Sequence, residues 1–465
     1  MDEHALLRQC LELASAYLDG LPRRPVRADA SLGELRSRLG GPMPPEGTDP
    51  ARVLEALARD ADPGLVASAG PRYFGFVTGG SLPVALATDW LVSAWDQNAA
   101  LYVMSPAAAV VEEVVSAWLL ELFGLPASAS VGFVTGCKMA NFTGLAAARD
   151  AVLRRAGWDV EEEGLQGAPP LQVFVGAEAH VTVLSALRML GLGSRSISRV
   201  AVDSQGRMRP EELQRLLDAA SGPIIVCAQA GNVNTGAFDP VEEIAALVHA
   251  REGWLHVDGA FGLWAAAASP AVCPEAANVA SADSWATDAH KWLNVPYDSG
   301  IAIVADAAAH RAALTARASY LLQSGGMGRD GLDWVPEASR RARAFPIYAA
   351  LKTLGRRGVS QIVDRCCRLA RRMADAMRAE PSARILNEIT LNQVLVRFEP
   401  PGGDGDALTR AVIATVQQEG TCWLGGARWQ DREVMRISVS NWSTTESDID
   451  RSAEAILAAA RTVVM

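Results

Sequence analysis

Residues 223–258 read PIIVCAQAGNVNTGAFDPVEEIAALVHAREGWLHVD, and this stretch decides the fold. Its first run, PIIVCAQA, is apolar and β-branched, which indicates a buried strand. Asp239, Pro240 and Glu242 then match the start of a helix, with a capping carboxylate, a proline in the first turn and an acid three residues after the cap. The run WLHVD returns as a second strand. The stretch therefore predicts a βαβ crossover between parallel strands.

The same alternation of short apolar runs and helical segments begins at about residue 130 and includes LQVFVG, ISRVAV, DSWAT and GIAIV. It predicts an α/β fold in which helices flank a mostly parallel central sheet. The first twenty residues indicate an amphipathic helix, and an extended arm follows. Beyond residue 345, long helical segments precede LNQVLVRF and VMRISVS, which favours a small C-terminal α+β domain. We therefore divide the chain into an N-terminal helical arm (1–80), a large domain (81–345) and a small domain (346–465).

The composition excludes several classes of protein. The chain has 465 residues, 49% of them hydrophobic, and a formal net charge of −10, so we expect a globular enzyme-sized protein that binds no nucleic acid. No segment approaches the length of a membrane span, and the N-terminus lacks the features of a secretory signal. Seven scattered cysteines predict reduced thiols in the cytoplasm. His249 and His256 lie on different elements, so we expect no metal site.

Reactive side chains follow several of the expected strands. In open α/β sheets, ligands bind beyond the carboxyl ends of the strands. His180 follows LQVFVG, Asn234 follows PIIVCAQA, Asp258 ends WLHVD, and His290 with Lys291 follows DSWAT. Singly, a surface lysine, a core histidine and a capping aspartate are ordinary; together they favour a site. A lysine with a lowered pKa forms Schiff bases, and an aspartate is the usual partner of the pyridinium nitrogen in pyridoxal phosphate (PLP) enzymes.

A phosphate site is then required, and GFVTGCKMANFTGLAAARD, residues 132–150, supplies a candidate. In this stretch a glycine-bearing turn after an apolar strand leads directly into a helix, whose first N–H groups and dipole attract an anion. The turn alone is a weak signal. It is neither a Walker motif nor GxGxxG, and the absence of GxGxxG disfavours a nicotinamide enzyme.

These motifs resemble the signatures of one family, the PLP-dependent group II amino-acid decarboxylases, which include the aromatic-amino-acid and glutamate decarboxylases. The resemblance runs in a consistent order from about residue 70 to about residue 445. PRYFGFVTGG and SPAAAVVEEVVSAWL are similar to the substrate loop and interface region of that family. The other matching motifs are GFVTGCKMANFTGLAAAR, GAEAHVTVLSALRMLGLG, HVDGAFG and TDAHKWLNVPYDSG.

The resemblance implies a fold-type-I PLP homodimer with its active sites at the subunit interface. The implied reaction converts an L-amino acid to its amine and carbon dioxide, through a Schiff base on Lys291 and a quinonoid intermediate. Asp258 would keep the pyridine nitrogen protonated, and His180 would stack on the ring. The other implied cofactor positions are Gly136, Cys137, Lys138, Asn234, Ala260, Thr287, Asp288 and His290, and the implied substrate positions are Phe76, Thr78 and, from the partner subunit, Asn98.

The sequence does not identify the group that protonates the product, and three functions are therefore considered. The glycine-rich segment from Leu321 to Pro336 predicts a mobile lid, where aromatic-amino-acid decarboxylases place a tyrosine; this segment has none, and Asp330 falls near that place. We favour a decarboxylase with another donor, such as His180. The alternatives are an oxidative deaminase that yields an aldehyde, and a catalytically weak PLP-binding protein. The substrate is also open, because Phe76 favours an aromatic side chain whereas Asn98 suits a polar one.

Overall fold

A computed structural model of the chain describes residues 3–315 and 328–464. The helices are α1 (Glu3–Gly20), α2 (Leu32–Leu39), α3 (Pro50–Ala61), α4 (Pro83–Trp95), α5 (Pro106–Phe123), α6 (Cys137–Arg155), α7 (Val160–Glu163), α8 (Val181–Met189), α9 (Pro210–Asp218), α10 (Val241–His249), α11 (Ala307–Leu314), α12 (Ala344–Arg378), α13 (Gly405–Glu419) and α14 (Glu446–Val464). The strands are β1 (Ser130–Val134), β2 (Gln172–Gly176), β3 (Ile197–Val200), β4 (Ile224–Gln229), β5 (Trp254–Asp258), β6 (Ser284–Asp288), β7 (Gly300–Val304), β8 (Ala383–Ile385), β9 (Gln393–Phe398), β10 (Gly425–Trp429) and β11 (Arg432–Ser438).

The main sheet of the described chain has seven strands in the order β1-β7-β6-β5-β4-β2-β3. Strands β3, β2, β4, β5 and β6 pair in parallel, whereas β7 is antiparallel to both β6 and β1. The predicted α/β class with a mostly parallel sheet is therefore confirmed. Every residue of β4, β5 and β6 is buried, because helices cover both faces, and strands of that kind are apolar without interruption.

Alternate residues of the strands feed two cores. Ile225 and Cys227 of β4 pack with residues of α6 and α8, whereas Val226 and Ala228 pack in the larger core that contains residues of α9, α10 and α12. Helix α6 lies against β5, β6 and β7. This layering aligns the carboxyl ends of β2, β4, β5 and β6 along one edge, near the start of α6.

A second, antiparallel sheet has the order β10-β11-β9-β8 and packs against α13, so the small C-terminal α+β unit is also confirmed. The predicted boundary at 345/346 falls in the first turn of α12, and the three domain limits stay predictions. The N-terminal segment contacts this unit, since the backbone N–H of Phe74 donates to the carbonyl of Trp423 at 2.7 Å. That contact brings the predicted substrate loop beside β11.

The helix start predicted at Asp239 is wrong in its detail. Helix α10 begins at Val241 and no side chain caps it. The Asp239 carboxylate instead accepts from the backbone N–H groups of Met208 and Gln229, each at 2.7 Å. Both donors belong to buried residues and need a partner, and the Asp239 carboxylate supplies it instead of capping α10.

Among the described residues, no helix combines the length and the apolar character that a membrane span requires. The seven cysteines all lie in the described part of the chain, and they are unpaired there.

Candidate active site

The predicted residues converge on the carboxyl edge of the sheet. Asp258 ends β5, Asp288 ends β6, and Lys291 follows three residues later in a turn. The turn at Gly136 leads from β1 into α6, whose first residue is Cys137. This edge therefore gathers an amine, two carboxylates and the start of a helix.

Cys137 lies between the two carboxylates. Its backbone N–H donates to Oδ1 of Asp288 at 2.6 Å, and its Sγ is 3.5 Å from Oδ1 of Asp258. Burial, together with the negative charges of Asp258 and Asp288, raises the pKa of the Cys137 thiol well above its usual value. The thiol therefore keeps its proton and serves as a weak donor to Asp258.

Lys291 forms an ion pair with Asp288, with Nζ 3.1 Å from Oδ2. Burial lowers the pKa of Lys291, but the nearby negative charges, Asp288 first among them, outweigh burial and leave the pKa raised. The pKa of Lys291 is therefore shifted in the direction opposite to that of a typical Schiff-base lysine. The physical reason is that Asp288, which lies beside the amine, stabilises the ammonium form.

Asp258 is 4% exposed and receives three donors. Besides the Cys137 thiol, the amide Nδ2 of Asn141 donates to Oδ2 at 3.3 Å, and the backbone N–H of Ala260 donates to Oδ1 at 3.1 Å. Sequence reasoning did not single out Asn141. Its spacing was a usable signal, because residues four apart on a helix share a face and Asn141 follows Cys137 by four.

The turn at Gly136 is tightly packed. A β-carbon on Gly136 would lie 3.3 Å from Cε1 of His290, and one on Gly300 would lie 2.5 Å from Cα of Gly136. His290 Nδ1 accepts from the backbone N–H of Ser299 at 3.1 Å, while its Nε2 is 3.5 Å from Asp288. The Ser299 hydroxyl is buried and has no hydrogen-bond partner in the described structure.

His180 is the N-cap of α8. Its Nδ1 accepts from the backbone N–H of Thr182 and lies 2.7 Å from the Thr182 hydroxyl. Since Nδ1 is an acceptor, the ring proton is on Nε2. Burial lowers the pKa of His180, and the positive charges of Lys291 and Arg436 act in the same direction against the carboxylates. The imidazole is therefore neutral at pH 7.

Arg436 of β11 is a residue that the sequence prediction missed. Its guanidinium approaches only neutral oxygens, at 3.5 Å from Oδ1 of Asn234 and 3.4 Å from the carbonyl of Phe76, and in the described structure its buried Nε has no partner. Burial lowers the pKa of Arg436. Phe76 has a φ of 61° and stacks on Trp423, with ring centroids 5.7 Å apart.

The remaining predicted residues differ in their exposure and in their hydrogen-bond partners. Lys138 is exposed on α6, and Thr78 is half-buried. Asn98 accepts from the backbone N–H groups of Ala100 and Arg340. Asp330 accepts from the backbone N–H of Tyr102 at 2.9 Å. The predicted lid lies partly outside the described residues, which resume at Gly328. Thr287, in contrast, is buried beside Ala260, with its hydroxyl 3.4 Å from the Ala260 carbonyl.

The residues present fit PLP. A primary amine suits the aldehyde, a buried carboxylate suits the ring nitrogen, and a neutral imidazole suits the ring face. The tight Gly136 turn at the start of α6 and the unpartnered Ser299 hydroxyl suit a phosphate. No group of three His, Cys, Asp or Glu side chains within residues 3–315 and 328–464 could hold a metal ion.

A mostly parallel sheet with this cluster at its carboxyl edge defines a PLP-dependent enzyme of fold type I. Residues 34–399 match the pyridoxal-dependent decarboxylase conserved domain, and the chain belongs to that family. It is therefore a PLP-dependent carboxy-lyase that acts on amino acids.

Similar proteins agree with this assignment. The chain is 26% identical over 461 residues to an aromatic-L-amino-acid decarboxylase of Bacillus atrophaeus, covering 95% of this chain and 92% of that protein. It is 30% identical over 376 residues to a human acidic amino acid decarboxylase, covering 79% and 71%. The fold matches the crystal structure of Oryza sativa TDC with PLP and tryptamine, with a TM-score of 0.92, 23% identity and coverage of 100% and 98%.

Proposed function

We propose that the protein decarboxylates an L-amino acid to the corresponding amine. The observation that carries the proposal is the arrangement around Cys137, which contacts Asp258 on one side and, on the other, the Asp288 carboxylate that pairs with Lys291, at the edge where β5 and β6 end. When bound, PLP supplies an electron-withdrawing ring that accepts the electron pair of the breaking bond between Cα and the carboxylate.

Each residue of the cluster then has a task. Lys291 supplies the amine that binds the cofactor covalently, and Asp258 holds a proton at the pyridine nitrogen. His180 lies against the ring, and we assign to it the proton that reaches Cα of the product. This transfer requires that the imidazole first take up a second proton, so that it returns to the neutral form afterwards. We place the phosphate at Gly136, Cys137, Lys138, Thr287, Asp288 and His290, with Asn234 and Ala260 beside the ring and Phe76 and Thr78 beside the substrate.

Arg436 is proposed as the anchor of the substrate α-carboxylate. A guanidinium whose partners are distant neutral oxygens retains its capacity for a bidentate carboxylate pair. Its proximity to Asn234 and Phe76 supports a position next to the cofactor. An anchor of this kind orients the bond that breaks, and orientation selects decarboxylation over other reactions at Cα.

Replacing Arg436 with glutamine is expected to raise KM on the order of 10- to 100-fold, because one charge-assisted hydrogen-bond pair is lost. Steady-state carbon dioxide release measures the effect. Arg432→Gln, an exposed change on the same strand, is the matched control and should leave KM unaltered. If KM rose only for acidic substrates, Arg436 would bind the side-chain carboxylate of the substrate and not its α-carboxylate.

Asp288→Asn is expected to tighten PLP binding about 10-fold, which corresponds to ~1.4 kcal/mol. The carboxylate lies at the turn proposed for the phosphate dianion and also pairs with Lys291. Asparagine keeps an acceptor for the Cys137 N–H and removes the charge. Titration of the cofactor-stripped protein gives the affinity. Since Asp288 raises the pKa of Lys291, the pH at which covalent binding becomes fast should fall in the variant. Unchanged or weaker binding would contradict the prediction.

We also propose a cytoplasmic homodimer, in which Asn98 reaches the active site of the partner subunit. Support comes from the exposed apolar side chains Trp90, Leu91 and Trp95 on α4, a surface that a monomer would leave in water. The unpaired cysteines support a reducing compartment. Sedimentation at the mass of a single 49.3 kDa chain would refute the dimer.

A panel of amino acids tests the proposed reaction. Some relatives are named for aromatic amino acids and others for acidic ones. The panel therefore contains amino acids with aromatic, acidic and other polar side chains. Amine together with carbon dioxide supports the proposal. Aldehyde together with peroxide would instead favour the oxidative reaction. A relative from Rhodiola rosea that is 26% identical is named 4-hydroxyphenylacetaldehyde synthase, after an aldehyde product. Neither product, from protein that binds PLP, would indicate the weak PLP-binding protein.

A further inference from the structure

A buried line of hydrogen bonds ends on Asp258. Side chains alternate along a strand, so Trp254, His256 and Asp258 of β5 share the face that α6 covers. The strand register places Ser284 of β6 beside His256, and Asn141 of α6 lies between His256 and Asp258. Trp254, Ser284, His256 and Asn141, which we name the Trp254–Asn141 relay, are each at most 1% exposed.

All the hydrogen bonds of the relay are donated in the same sense, from Trp254 toward Asp258. The indole Nε1 of Trp254 only donates, and it donates to Ser284 Oγ at 2.8 Å. The Ser284 hydroxyl then donates to Nδ1 of His256 at 2.8 Å, and Nε2–H of His256 donates to Oδ1 of Asn141 at 2.9 Å. The amide nitrogen of Asn141 is left to donate to Oδ2 of Asp258 at 3.3 Å.

The opposite direction leaves groups unsatisfied. If Nδ1 of His256 carried the proton, Ser284 would receive two hydrogens and have no described acceptor for its own. Nε2 would then need a donor, which would turn the Asn141 oxygen toward the Asp258 carboxylate. Burial lowers the pKa of His256 to about 4, so the ring is neutral at pH 7 and donates through one nitrogen only.

Helix α6 packs closely against His256 at Gly144. A β-carbon on Gly144 would lie 3.0 Å from Cε1 and 3.1 Å from Nδ1 of His256. Glycine is unfavourable inside a helix, but here it lets α6 approach β5 closely. This close approach, one turn after Asn141, brings the amide within reach of Asp258.

We propose that Trp254, Ser284 and His256 are positioning residues that hold the Asn141 amide as a donor to Asp258. The relay thereby orients the Asp258 carboxylate and stabilises its negative charge where it faces the pyridine nitrogen of PLP. The inference rests on the proposed role of Asp258 and extends it to four residues that contact neither cofactor nor substrate.

His256→Phe tests the relay, because the ring volume is kept and both nitrogens are removed. PLP affinity is expected to fall on the order of 10-fold, as for other residues that orient a ligand-binding group. The visible absorption of bound PLP is expected to change as well. Asn141→Leu should have the same effects, and the double variant should lose no more than either single one, since both changes break the same line. His256→Gln, which retains a donor, should recover part of the affinity.

His310→Phe is the matched control. His310 is also fully buried, with Nδ1 2.8 Å from the Ser130 hydroxyl and Nε2 3.0 Å from the Trp334 carbonyl, and among the described residues its hydrogen bonds do not lead to Asp258. It should lower the Tm without altering PLP affinity or absorption. If His256→Phe does not fold, Ser284→Ala tests the same line and should shift the absorption in the same direction by less.

The relay is refuted if His256→Phe, or Ser284→Ala in its place, lowers only the Tm in the manner of His310→Phe. Full additivity of the His256 and Asn141 changes would also refute it. A separate result would show that Asp258 does not act at the pyridine nitrogen. In that case Asp258→Asn would leave the absorption of bound PLP unchanged.

Discussion

Lys291→Ala protein is expected to lose carbon dioxide release completely and to retain no PLP after borohydride reduction. The alanine has no amine to bind the cofactor. The chain has two other lysines, Lys138 on α6 and Lys352 on α12, and we expect neither to replace Lys291. Mass spectrometry of the reduced protein should place the cofactor on the peptide that contains Lys291. Carbon dioxide release by the same preparations gives the activity.

Lys352→Ala is the control, since Lys352 lies on α12 against the rings of Trp118 and Tyr348 and outside the site. It should keep full activity and full labelling. If the Lys291→Ala protein retained reduced PLP, Lys291 would not be the residue that binds the cofactor.

Asp258→Asn is expected to lower kcat about 10²- to 10³-fold, the range seen when one group that stabilises developing charge is removed. The substitution keeps the shape of the side chain and removes its charge, so the proton on the pyridine nitrogen loses its partner. The absorption of bound PLP should change in parallel. Rapid measurement of carbon dioxide at saturating substrate separates this effect from weaker binding.

The matched control is Asp239→Asn, at another buried aspartate that follows a strand of the same sheet. Asp239 accepts from two backbone N–H groups and contacts none of the proposed site residues. Its substitution should cost stability and leave the absorption of bound PLP as it is. If the Asp258 and Asp239 variants differ only in Tm, then Asp258 has no role at the pyridine nitrogen.

Much of the fold was predictable because its signals are local. Buried strands such as β4 and β5 are apolar along their whole length, and the helix between them has its own period. The cap at Asp239 was predicted wrongly because the rule considers only neighbours in sequence. The carboxylate instead meets the N–H of Met208, which is 31 residues away.

The site shows the same division. Lys291, Asp258 and His180 could be proposed from sequence because each lies at, or a few residues after, the carboxyl end of a strand. Arg436 was not, since its contact with Asn234 spans 202 residues. The raised pKa of Lys291 was also missed, because it depends on where the Asp288 carboxylate points and not on which residues flank the lysine.

The linear order of residues was thus sufficient for the α/β class, the family and the reactive groups at the sheet edge. Residue type and period are properties of short segments, and they persist in any packing of those segments. Only the tertiary structure decided that Asp288 pairs with Lys291 and that Asn141 is hydrogen-bonded to both His256 and Asp258. Hydrogen bonds require atoms within about 3 Å, and strand register and helix packing alone bring distant segments that close.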